Sequence, residues 1–180
     1  MGHRSPARLL ILLVAACGTD PSGPGPGGGD DDPNPGAGEP TELMGITAAH
    51  NAVRADVDVE GMTWNSELAA LATDFIADCQ FEHSSSGERM GVAGFQYIGE
   101  NLFSSGGSKP TGQQITDAWA SEKSDYDYNS NSCSGVCGHY TQIVWRDSTD
   151  LGCAMKDCGG SYIVSCEYGP GGNFNGQRPY

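Results

Sequence analysis

One segment constrains this chain more than any other: Leu151-Gly152-Cys153-Ala154-Met155-Lys156-Asp157-Cys158, then Gly159-Gly160, then Ser161-Tyr162-Ile163-Val164-Ser165-Cys166-Glu167-Tyr168. Two strand-forming runs flank a Gly-Gly pair, which reads as a β-hairpin because glycine takes the positive-φ conformations of a two-residue loop at no steric cost. In that register Cys158 opposes Ser161 and Cys153 falls directly opposite Cys166. Opposed strand positions lie within the Cα separation a disulfide tolerates, so the hairpin predicts Cys153–Cys166. Cys158 is five positions from Cys153. Strand alternation turns it to the other face of the sheet, where its partner must come from another layer.

The chain has seven cysteines. Setting Cys17 aside leaves Cys79, Cys133, Cys137, Cys153, Cys158 and Cys166, an even set that favours a disulfide framework over a metal cluster in an exported domain. Cys79, at the end of a helical pattern, is the natural candidate for Cys158. Cys133 and Cys137 then close the small loop "CSGVC" just before His139.

Export is read from the N-terminus. His3, Arg4 and Arg8 precede the apolar run Leu9 to Val14, which is too short to span a bilayer as a helix. Val14-Ala15-Ala16-Cys17 resembles a bacterial lipobox: a signal peptide over residues 1–16, cut before a Cys17 that carries lipid and attaches the protein to the outer surface of a bacterial membrane. An ordinary secretory signal is the alternative, and either one exports the chain. Residues 18–40 are dominated by Gly, Pro and Asp without apolar periodicity, a flexible tether after Cys17. One domain is expected over 41–180. With 23 acidic against 9 basic residues and a formal charge of -14, the phosphate neutralisation that nucleic-acid binding needs is absent, so no nucleic-acid partner is expected.

Three helices are expected within the domain. The first covers Glu42 to Ala55, with Leu43, Ile46, Ala49 and Val53 in register and His50 beside that stripe as a packing residue. The second follows Asn65-Ser66, with Leu68, Leu71, Phe75 and Cys79 on one face. The third runs from Gln113 to about Asp125 and places Ile115, Trp119, Glu122 and Tyr126 together. A carboxylate on an apolar stripe must be hydrogen-bonded, paired or bound to a cation, and basic partners are scarce here, so Glu122 points to a site. Glu100 in "IGENLF", His83 in "CQFEHSS" and His139 in "CGHYTQIVW" join it. Two imidazoles and two carboxylates can hold a divalent cation of zinc type or transfer protons. The periodicity of "HYTQIVW" leaves helix or strand open. Gly171, Gly172 and Gly176 read as turn residues.

These residues resemble a known family, the CAP superfamily of cysteine-rich secretory proteins, venom antigens and pathogenesis-related proteins (the SCP domain). "GHYTQIVW" resembles its first signature and "YIVSCEYGPGGNFNGQRPY" its second, with "HNAVR", "MTWNSELAALA" and "GENLF" in order between residues 43 and 180. The resemblance implies an α+β fold, a three-layer α-β-α sandwich with a mainly antiparallel central sheet. It implies that His83, Glu100, Glu122 and His139 share a central cleft, that the pairs are Cys79–Cys158, Cys133–Cys137 and Cys153–Cys166, and that "HYTQIVW" is a short helical segment. The function implied is an exported, membrane-anchored module whose cleft binds zinc or another divalent cation and which takes a lipid or sterol ligand. The alternative is a metal-assisted hydrolase or peptidase with Glu100 or Glu122 as general base. Against that alternative, the chain lacks a His-Glu-x-x-His zinc helix and a G-x-S-x-G elbow. The tail "PGGNFNGQRPY" also resembles a releasable signalling peptide of plant members.

Overall fold

The computed structural model describes residues 36–180. The expected signal peptide, Cys17 and most of the expected tether lie outside the described residues. Helices α1 (Ile46–Ala55), α2 (Ser66–Phe75), α3 (Gly112–Ala120) and α4 (Gly138–Ile143) surround a sheet of β1 (Thr63–Trp64), β4 (Gly99–Gly106), β7 (Asp150–Asp157) and β8 (Ser161–Gly169). The sheet order is β1-β7-β8-β4, antiparallel except for the short β1–β7 pair. Two small antiparallel ribbons lie outside it, β2 (Met90–Val92) with β3 (Phe95–Tyr97), and β5 (Tyr126–Asp127) with β6 (Ser132–Cys133). Helix α2 packs on β7 and β8, while α1, α3 and α4 pack on one another and α4 reaches β4. This is the expected α-β-α sandwich.

The β7–β8 hairpin has the expected register: Cys153 pairs with Cys166, and the Cys158 N–H donates to the Ser161 carbonyl at 2.8 Å across the Gly159-Gly160 turn. The disulfides are Cys153–Cys166, Cys79–Cys158 and Cys133–Cys137. Cys153 and Cys166 belong to the larger core with Tyr168, Trp119 and Ile143, whereas Cys79 and Cys158 pack beside Ala72, Ile76 and Ile163 under α2. The two faces of β7 therefore bury different layers, as strand alternation requires.

The helices depart from expectation at their ends. The first does not run unbroken from Glu42: a 3-10 turn at Thr41–Leu43 is followed by Gly45 at φ 86, a left-handed conformation that a helix cannot propagate through. Gly45 itself supplies no side-chain cap to α1. Glu39 does so instead, its carboxylate accepting from Gly45 N at 2.6 Å and Thr47 N at 2.8 Å. The last residues of the tether thus take part in the fold. Asn65 caps α2, its Oδ1 accepting from Glu67 N and Leu68 N. That helix buries Leu68 and Ala72, with Ile76 buried just past its end, while Leu71 and Phe75 are half-buried; it ends at Phe75, so Cys79 lies beyond it, at φ 56. Helix α3 opens on a Thr111–Gln114 capping box and stops at Ala120, so Glu122 stands on a following 3-10 turn, Ser121–Asp125. "HYTQIVW" is helical up to Ile143, as the resemblance implied, and Ile143, Val144 and Trp145 are buried.

Of the three tail glycines, Gly176 adopts the positive φ of a turn residue at 80. Gly171 and Gly172 do not; they are buried where the backbone passes close to other groups. A Cβ on Gly171 would lie 2.6 Å from the Ile98 carbonyl carbon, and one on Gly172 would meet the Trp145 ring.

Candidate functional site

Four elements bring the ionisable residues together in two pairs. Glu100 lies on β4 with its side chain fully buried, and His83, from the loop after α2, bonds it through Nδ1 at 2.5 Å. Ser84 N donates to both oxygens of the same carboxylate, at 3.1 and 3.3 Å. On the other side Glu122 accepts from His139 Nδ1 at 2.6 Å and from the backbone N–H groups of His139 and Tyr140 at 2.9 and 3.3 Å. The carboxylate on the apolar stripe is thus satisfied by an imidazole and by the first turn of α4. Trp119 stacks on the His139 ring, centroids 6.0 Å and planes 17° apart, and its indole N–H donates to the Leu102 carbonyl.

The pairs are neighbours. Asn101 follows Glu100 on β4 and its Nδ2 donates to the His139 carbonyl at 3.1 Å. Asn173 lines a cavity of about 200 Å³ with His83 and Glu100, and its Nδ2 donates to the carbonyl of Gly138, next to His139. Among the described residues no group of three or more His, Cys, Asp or Glu side chains is placed to hold a metal ion. What the site offers is two imidazoles, each fixed through Nδ1 to a carboxylate. Neither Nε2 has a hydrogen-bond partner among the described residues.

The support beneath the site includes His50, expected as a packing residue of α1, together with partners that were not expected from the sequence. His50 is fully buried: Nδ1 contacts the Ile46 carbonyl at 2.9 Å and Thr116 Oγ1 at 3.0 Å, and Nε2 contacts the Tyr168 hydroxyl at 2.9 Å. Thr116 donates its own proton to the Gly112 carbonyl. These partners assign the proton of a neutral imidazole to Nδ1, with Tyr168 donating to Nε2 and accepting in turn from Asn101 Nδ2 at 2.9 Å. Burial pushes the His50 pKa down to about 4, against the Ile46 carbonyl, which raises it. Arg54, 1% exposed, donates to the carbonyls of Glu60, Ile143, Trp145 and Ser148 at 2.6 to 2.8 Å, and burial lowers its pKa to about 10. Gln142 joins α4 to the tail, Oε1 accepting from Gly172 N and Nε2 donating to Ser148 Oγ. Glu167 is the strand partner of Glu100; burial first, and then the Glu100 charge, hold its carboxyl well above the usual carboxylate range. None of these residues carries a periodicity signal for its role. For His50 and Arg54, placement on the inward side of α1 was the only available clue.

The model of the cysteine-rich secretory protein family, CAP, matches residues 47–168. The chain belongs to the CAP family. Its similarity to other CAP proteins spans most of the described domain. Pathogenesis-related protein 1A of Nicotiana tabacum is 45% identical over 139 residues, which cover 73% of this chain and 77% of that protein. Pathogenesis-related protein 1 of Arabidopsis thaliana is 42% identical over 137 residues, covering 73% and 78%. Among solved CAP-like structures, Schistosoma mansoni venom allergen-like protein 4 superposes with a TM-score of 0.69 at 27% identity, covering 78% of this chain and 94% of that one. NaASP2, solved with Zn2+, gives 0.62 at 26% identity, covering 75% and 82%.

Proposed function

We propose that this CAP domain is an exported binding module whose cleft takes a divalent cation of zinc type on His83 and His139. The observation that carries the reading is the pairing of each Nδ1 with a carboxylate while each Nε2 has no partner among the described residues. A histidine that ligates a metal almost always donates its other ring N–H to a carboxylate or carbonyl, which fixes the ring and raises the basicity of the ligating nitrogen. The chemistry of these donors suits the ion: His83 and His139 would hold it, Glu100 and Glu122 would orient them, and the remaining coordination positions would be left to water or a ligand. The similarity to NaASP2, solved with Zn2+, adds support. Bound there, the cation supplies Lewis acidity.

A hydrolase using Glu100 or Glu122 as base has less support. Each carboxylate already accepts an imidazole N–H and backbone N–H groups, which suits orientation more than proton abstraction. A lipid or sterol ligand would find its apolar room elsewhere, in a groove of about 410 Å³ between α2 and β7 that Trp64, Ala69, Ala70 and Met155 line. Attachment through lipid on Cys17 rests on the lipobox-like sequence alone; no described helix is long and apolar enough to cross a membrane.

Calorimetric titration of zinc into the protein tests the cation site. Binding is expected at neutral pH and should weaken on acidification, since a protonated imidazole cannot ligate. The double variant His83→Ala/His139→Ala should abolish it. Unchanged binding in that variant would dispose of the site.

A further inference from the structure

Tyr180 is the hub of a tyrosine cluster that the cleft does not use. Its ring stacks on Tyr128, with centroids 4.9 Å and planes 16° apart, and lies 6.5 Å from the Tyr126 ring. Its hydroxyl is 3.3 Å from that of Tyr140. All seven tyrosines of the chain are described, and Tyr128, at 43%, is the exposed one. An oxidant arriving from solvent therefore meets first a phenol whose stacked neighbour is another phenol. Arg178 holds the pair in place: Nε donates to the Tyr128 carbonyl at 3.1 Å, Nη2 donates to the Asn129 carbonyl at 2.9 Å, and the guanidinium lies 5.5 Å from the Tyr128 ring centre. Among the described residues every cysteine is in a disulfide, so none of these six offers a thiol that competes for a phenoxyl radical.

We propose that Tyr128 and Tyr180 form an intramolecular dityrosine site, acted on by a peroxide-consuming haem peroxidase. Each phenol loses one electron and its O–H proton, giving a phenoxyl radical whose spin reaches the ring carbon ortho to oxygen. The two ortho carbons form a C–C bond. Their ring protons then move to the oxygens, restoring both phenols, and hydrogen peroxide takes up the two electrons and two protons to become two waters. The product has two hydrogens fewer than the parent chain. Preorganisation decides the outcome: groups held in one molecule meet at an effective concentration of millimolar or more, so at ~1 µM protein the internal link should outrun chain-to-chain coupling by about a thousandfold. The bond would fasten residues 178–180 to the 127–131 loop, which Asn131 already joins to the tail by donating to the Gln177 carbonyl.

The test treats the full chain at ~1 µM with a haem peroxidase and limiting peroxide, isolates the monomer, and reads dityrosine fluorescence and the mass of linked proteolytic peptides. The monomer is expected to lose two hydrogens, with the link joining the Tyr128 and Tyr180 peptides. Tyr128→Phe and Tyr180→Phe, which keep the ring stack, should each abolish it, and Tyr162→Phe should retain it. The proposal is overturned if the wild-type monomer carries no link while free tyrosine couples in the same mixture. It is equally overturned if the link persists in Tyr128→Phe or forms only between chains.

Discussion

Acid should weaken this fold through His50, and the size of the effect follows from where the ring sits. In the unfolded chain the imidazole titrates near 6.5; in the folded protein burial lowers it to about 4. Between those values the unfolded state holds a proton that the native state refuses, so stability is intact above 6.5, declines as pH falls, and has lost its full share below about 4. The gap of 2.5, at about 1.4 kcal/mol per pH unit, amounts to on the order of 3 kcal/mol, a large part of the ~5–15 kcal/mol that holds a typical domain together. Burial explains the refusal, since a charged ring there is cut off from water, and the hydrogen bonds around Nε2 do not accommodate a second proton. A proton on Nε2 would turn the Tyr168 hydroxyl from donor to acceptor, and that hydroxyl already accepts from Asn101. Asn101 in turn holds the His139 carbonyl, so the strain would reach the cleft. Urea unfolding of wild type and His50→Gln across the range from neutral to about pH 4 measures the effect. Gln cannot take up a proton, so the wild type should lose on the order of 3 kcal/mol more than the variant over that interval. Glu167 works in the opposite direction, because a carboxyl raised by burial binds its proton more tightly in the native state and gains stability as pH falls; being present in both proteins, it cancels. Parallel pH profiles for the two proteins would refute the reasoning.

Three further outcomes are expected. Arg54→Met strips a buried cation from the carbonyls of Glu60, Ile143, Trp145 and Ser148 and should cost about 3–5 kcal/mol in urea unfolding; a loss under about 1 kcal/mol would mean that those carbonyls find other donors. Gly172→Ala presses a methyl group into the Trp145 ring and should destabilise by about 1–3 kcal/mol with a shift in tryptophan fluorescence, so an unchanged denaturation midpoint would contradict the close approach. If Cys17 is acylated, a globomycin-type inhibitor of lipoprotein processing should leave a larger precursor; normal secretion and processing of Cys17→Ser would end the anchor reading.

What could be read in advance was whatever a short window of sequence determines. The β7–β8 register follows from one turn and a two-residue period, and with it came Cys153 opposite Cys166 and Cys158 on the other face. Glu122 stood out because a carboxylate among Ile115, Trp119 and Tyr126 needs a partner, and the structure provides His139. The rest depends on contacts between residues distant in the chain. No periodicity in α1 shows that His50 will meet a tyrosine 118 residues away, or that Arg54 will reach the carbonyls at and beyond the end of α4. Where the periodic reading failed, a backbone constraint had overruled it: left-handed Gly45 broke the first helix, and the early end of α2 at Phe75 put Cys79 beyond it, in a conformation from which its sulfur still reaches Cys158. The same reasoning accounts for the two His–Glu pairs. Each pair is assembled locally, by the loop after α2 with β4, and by the turn after α3 with α4. The hydrogen bond between the halves comes from Asn101, a neutral amide beside Glu100 that donates to the His139 carbonyl, while Asn173, bonded to the Gly138 carbonyl, lines the cavity beside His83 and Glu100 without adding charge there.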